Sequence, residues 1–157
     1  AYGQKSYPTK SQLIEALLKT TKQIDGVYKT TSWFTIGNDS SYQRADILTF
    51  YNDHVYVFEQ QFCEYLKWNF FKEDAFYMQR EQHCTEQVTA ADIEEEDQYT
   101  YEVTENQQRM ILQVFNYENK VVDKFEILSL TKQSLRRMNN EACDVLTVRR
   151  IKSDETR

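Results

Sequence analysis

The side chains best suited to nucleophilic or metal chemistry are two histidines, His54 and His83, and three cysteines, Cys63, Cys84 and Cys143. His83 and Cys84 are adjacent, but neighbours on a strand point to opposite faces, so this imidazole is badly placed to take this thiol's proton. The same geometry weakens a zinc set of His83, Cys84 and Cys63, which also lacks the paired Cys-x-x-Cys or His spacing of such sites. His54 follows a turn and is expected at a strand end, in water. No Gly-x-Ser-x-Gly elbow is present to present a serine. The expectation is a protein that is not an enzyme, with no catalytic residue, no metal and no cofactor. The cysteines leave two readings open. Either all three are buried thiols, or one bridge has formed in an oxidising compartment and one thiol is left over. Cys63 sits beside a turn and Cys84 opens a long loop, so Cys63–Cys84 is the pairing to test.

Charge excludes more than it suggests. The chain carries 25 Asp and Glu against 19 Lys and Arg, a formal charge of −6, which on average repels a phosphate backbone. Arg136-Arg137 and Arg149-Arg150-Lys152 read as solvated patches, so no nucleic acid is expected as partner. Five acidic residues fall within Asp92–Asp97. Their spacing is not that of a calcium loop; the segment reads as a solvated acidic loop, or as a lid over a barrel mouth. Only 3 Gly and 1 Pro occur, which argues against phosphate-cradling glycine loops and low-complexity linkers. No run of about 18 apolar residues exists, so no transmembrane segment is expected. The sequence opens Ala1-Tyr2-Gly3 without Met, which fits a processed or a trimmed chain equally, and no secretion leader is expected within it.

The elements follow from periodicity. Length predicts a single domain over 1–157. Residues 9–24 read as an N-terminal helix: Thr9 and Gln12 make a capping box, and Leu13, Leu17, Thr21 and Ile24, flanked by Ile14 and Leu18, form an apolar stripe at spacings of three and four. Gly26 supplies a stop. From there the period is two. Strands are predicted near 27–36, 45–51, 54–62, 65–71, 75–83, 98–104, 109–116, 121–130, 134–138 and 144–151, separated by Asn- and Asp-rich turns that stand in for glycine. Short links join antiparallel neighbours, and consecutive hairpins favour closure into a barrel, which removes exposed strand edges. The expected fold is mainly β: one antiparallel up-and-down barrel of eight to ten strands over 26–151, with the helix packed on it.

Three segments resemble the lipocalin-like, calycin-type barrel domains of bacterial secreted and surface proteins. Gly26-Val27-Tyr28 stands where such domains carry Gly-x-Trp. Leu48–Phe58 looks like their second hairpin, and Phe125–Leu135 like a late strand followed by Leu-Thr-x-x-x-Leu. The resemblance covers about residues 26–151, with Tyr28 in place of Trp and an unusually long loop at 84–97. It implies an internal cavity, an extracytoplasmic setting (periplasmic, surface or secreted) after signal removal, and an Arg149 or Arg150 contact on Tyr28.

Strand alternation then assigns the inward faces. The expected ligand-binding set is Phe50, Tyr56, Phe58, Trp68, Phe70, Phe76, Met78, Arg80, Leu112 and Phe125, with Leu66, Met110, Val114 and Ile127 alongside. An eight-stranded interior is either filled by side chains or holds one small ligand. Two functions are therefore expected as alternatives: a small apolar molecule or lipid held inside, or a filled structural barrel that contacts a partner protein at the cell surface. Arg80, sharing a face with Phe76 and Met78, is either an interior charge awaiting an anion or a rim residue.

Overall fold

A computed structural model describes residues 8–18, 22–24, 27–29, 31–37, 39–52, 63–82, 89–90, 93–134 and 142–152. Helix α1 spans Lys10–Leu17 and starts as predicted. The Thr9 hydroxyl accepts from the Gln12 amide at 3.1 Å, and the Gln12 side chain accepts from the Thr9 amide at 2.9 Å, which satisfies two donors a helix start leaves open. The expected helix over 9–24 ends early, however. Lys22–Ile24 is a strand, β1, paired antiparallel with β2, Val27–Lys29, in a separate two-stranded sheet. Ile24 lies opposite Val27, which leaves Asp25-Gly26 between them; that dipeptide is among the strongest two-residue hairpin signals. The apolar stripe therefore stops at Leu13 and Leu17, both fully buried. The barrel begins at Thr31 rather than at 26.

The remaining strands are β3 (Thr31–Ile36), β4 (Ile47–Tyr51), β5 (Glu64–Lys72), β6 (Ala75–Gln82), β7 (Thr89–Ala90), β8 (Gln98–Asn106), β9 (Arg109–Phe115), β10 (Val121–Ser134) and β11 (Ala142–Arg150). A second short helix, α2 (Asp39–Arg44), lies between β3 and β4, and a 3-10 turn at Glu95–Asp97 precedes β8. Eight strands form a ring in the order β5–β3–β4–β11–β10–β9–β8–β6, closed by pairing of β6 with β5, while β7 lies on the outer end of β6. This is the expected closed, antiparallel, up-and-down barrel with its N-terminal helix. One local exchange occurs: β3 sits between β4 and β5. The expected strand 54–62 and residues 135–138 of the expected strand 134–138 lie outside the described residues.

The turns show how the chain manages with few glycines. Gln107 and Gln108 adopt left-handed backbone (φ 49° and 66°) at the β8–β9 turn, and Asn119 does so (φ 63°) at the β9–β10 turn. There the Asn116 side chain accepts from the Glu118 and Lys120 amides at 3.0 and 2.9 Å, the self-bonded turn expected of Asn.

The register places the two helices at opposite ends of the barrel. α1 lies at the end bearing the β8–β9 turn, where the Lys10 amide donates to the Glu105 carboxylate at 2.8 Å. α2 lies at the end where β10 begins and β11 finishes, with Tyr42 donating to Asp123 at 3.2 Å. Between them runs one core cluster that includes Leu13, Leu17 and Tyr42 together with the inward residues of the strands.

Candidate functional site

Alternation along the strands builds the interior. Phe50 on β4, Trp68 and Phe70 on β5, Phe76 on β6, Leu112 on β9 and Phe125 on β10 are all buried in one cluster, each at most 1% exposed. Leu66, Met110, Val114 and Ile127 join them, and Met78 packs against the same cluster while partly exposed. Tyr56 and Phe58, the remaining aromatic members of the expected set, lie outside the described residues. Arg80 is exposed and stands apart from this cluster. Arg80 lies on β6 between the stretch paired with β8, residues 75–77, and the stretch paired with β7, residues 81–82.

Trp68 is the hub. Its ring lies 4.6 Å from Phe50, 4.6 Å from Phe76 in a stacked arrangement, 5.9 Å from Phe125 and 6.4 Å from Phe70. Among the described residues, its indole Nε1 is a buried donor with no hydrogen-bond partner. The other tryptophan differs: Trp33 Nε1 donates to the Leu17 carbonyl at 3.4 Å, which ties α1 to β3. Sequence reasoning places Trp68 inside but gives no sign that its donor is unmet, since that depends on what the opposite strands present.

The α2 end of the interior is sealed by charge. The Arg150 guanidinium lies 5.0 Å from the Phe125 ring and 5.1 Å from the Tyr42 ring. It pairs with Asp123 and donates to the Tyr42 and Ala45 carbonyls at 2.6 and 3.1 Å. Burial pushes the Asp123 carboxyl up, against the pull of Arg150; burial, then Asp123, pushes the Tyr42 phenol well up. Arg150 thus has ring partners on α2 and β10. The Tyr28 side chain expected in that place lies outside the described residues. Arg149 faces the other way and bonds Glu126 at 3.2 Å, beside Arg109.

Outside the barrel, Phe34 and Tyr65 meet edge-on at 5.1 Å, with Lys67 over Phe34 and the Tyr65 hydroxyl donating to Glu81 at 2.7 Å. Cys63 is disulfide-bonded, and Cys143 is a buried thiol outside any disulfide. Cys84, His83 and His54 lie outside the described residues. Among the described residues, no group of three or more His, Cys, Asp or Glu side chains could hold a metal ion, and no helix is long and apolar enough to cross a membrane.

No protein-family model matches the chain, and neither a curated protein nor a solved structure matches it.

Proposed function

We propose that the protein is a non-enzymatic binding protein: a lipocalin-like barrel that holds one small apolar molecule or lipid against Phe50, Trp68, Phe70, Phe76, Met78, Leu112 and Phe125. The unmet indole donor of Trp68 carries this reading. A buried donor without a partner costs about 1–3 kcal/mol, and a ligand acceptor placed at Nε1 would recover that cost. The aromatic surround supplies the apolar contact such a ligand needs, and a barrel of eight strands has the girth for one small ligand. The reading therefore favours amphiphiles with a carbonyl, carboxylate or hydroxyl over plain hydrocarbons. The disulfide at Cys63 supports an extracytoplasmic setting. The test is titration with a fluorescent fatty acid, read by quenching of tryptophan emission. Saturable quenching is expected, and Trp68→Phe is expected to weaken binding by about two- to tenfold, the worth of one neutral hydrogen bond. No saturable binding would overturn the proposal.

The close approach of Phe50 and Phe76 to Trp68 favours a second reading, a filled barrel whose outer face meets a partner protein. A filled interior would leave the melting temperature unchanged in the presence of every apolar ligand, whereas ligand binding to the native state raises it.

A further inference from the structure

A groove of about 600 Å3 opens on the surface of the barrel beside β5 and β6. Phe71 and Tyr77 stack at 4.4 Å on β5 and β6, and both line the groove. Across from these strands it is bordered by the 3-10 turn before β8, with Ile93, Glu94 and Glu95, and by the β9–β10 turn, with Tyr117. Ile93 and Tyr117 are 42% and 46% exposed, unusually open for side chains of their size. Two carboxylates face one ammonium, that of Lys72, among the charged groups of the lining. The Tyr117 phenol is pushed up, first by its hydrogen bond to Glu118 and further by the Glu96 and Glu95 carboxylates nearby.

Aromatic rings offer a negative face to a cation, and nearby carboxylates add to that attraction. A groove of this volume is the size of a small-molecule site, whereas a stable protein interface needs roughly 800 Å2 from each partner. We propose that this outer groove binds a small organic ammonium compound, its cationic head held between the aromatic side chains of Phe71, Tyr77 and Tyr117 and the carboxylates of Glu94 and Glu95. The site is distinct from the proposed interior one, although Tyr99 of its lining stacks on the interior Phe76 at 5.5 Å. It adds a second binding function on the outside of the barrel, with opposite chemistry: exposed and cation-seeking, where the interior is apolar.

The full chain would be titrated with choline and, separately, with its neutral isostere in which carbon replaces the quaternary nitrogen, following tyrosine ring signals by NMR. Saturable choline binding is expected, with the isostere about tenfold weaker or worse, because only the charge differs. The double variant Glu94→Gln/Glu95→Gln, on an exposed turn, is expected to keep its melting temperature and lose about tenfold in choline affinity. Lys72→Gln is expected to gain about twofold. Equal binding of choline and the isostere would overturn the proposal, as would no saturable shift with choline. Binding of a lysine-rich peptide without binding of choline would overturn it too, and would assign the groove to a protein partner.

Discussion

Arg150 shows how much one side chain can organise. Its guanidinium holds Asp123, two α2-end carbonyls and two ring faces at the closed end of the barrel. Removing one member of a buried ion pair leaves the other charged and dry, which costs far more than losing an exposed pair. Arg150→Ala is therefore expected to lower stability by about 3 kcal/mol, and Arg149→Ala, whose partner Glu126 is nearer water, by about 1 kcal/mol or less. Urea unfolding of the two variants decides it; equal losses would refute the distinction. The buried phenols set a second expectation. Tyr42 and Tyr101 are held above the ordinary tyrosine range by burial, reinforced by Asp123 for the first and by Asp74 and Glu73 for the second. An unfolded chain ionises its tyrosines near pH 10, whereas burial keeps these two phenols neutral beyond it in the native protein. Their contribution is whole below that pH and is lost as pH rises above it, at up to about 1.4 kcal/mol per pH unit for each phenol. A steep alkaline fall in the urea midpoint, made shallower by Tyr101→Phe, would bear this out; a flat profile would not. The interior positions were readable from period-two patterning, because Phe50, Trp68, Phe70, Phe76, Leu112 and Phe125 all turn inward. Arg80 was harder to place: it lies between the stretches of β6 paired with β8 and with β7, a division no pattern within β6 encodes. The Arg150 cluster was hidden for a related reason, since Tyr42 comes from a segment without apolar periodicity.

At the scale of elements, turn chemistry decided the departures. Gly26, read as a helix stop, follows Asp25 to make a hairpin dipeptide, and the hairpin of β1 and β2 replaced the last turns of the expected helix. The bulge in β10 between Ile127 and Ser129 could not be read at all; beyond it Leu130, which uninterrupted alternation from Ile127 would turn outward, packs against the core. The β8–β9 turn carries a correctable weakness. Two glutamines occupy left-handed backbone there, a conformation that Asn and Gly adopt at less cost. Replacing Gln107-Gln108 by Asn-Gly is expected to raise stability by about 1 kcal/mol, measured as a higher melting temperature; no gain would argue against that strain. Thiol counting tests the cysteine arrangement. With three cysteines, one disulfide-bonded and one a buried thiol, native protein should react with a thiol reagent slowly if at all. Unfolding without reductant should expose one thiol, and reduction three. Three thiols without reductant would remove the Cys63–Cys84 pairing.

For the molecule as a whole, closure is uneven. Among the described residues, β10 and β11 are held by nine registered pairs and β6 and β8 by three. Amide exchange is expected to be slower in β9, β10 and β11 than along the β6–β8 boundary, because backbone groups there have fewer ladder partners. Uniform protection round the ring would refute this. With α1 and α2 at opposite ends of the barrel, the β6–β8 seam, three pairs long, is the least laced stretch of the described wall. For the guest proposed above, that seam is the expected way in between staves, and its rate of arrival would report how often the wall gapes.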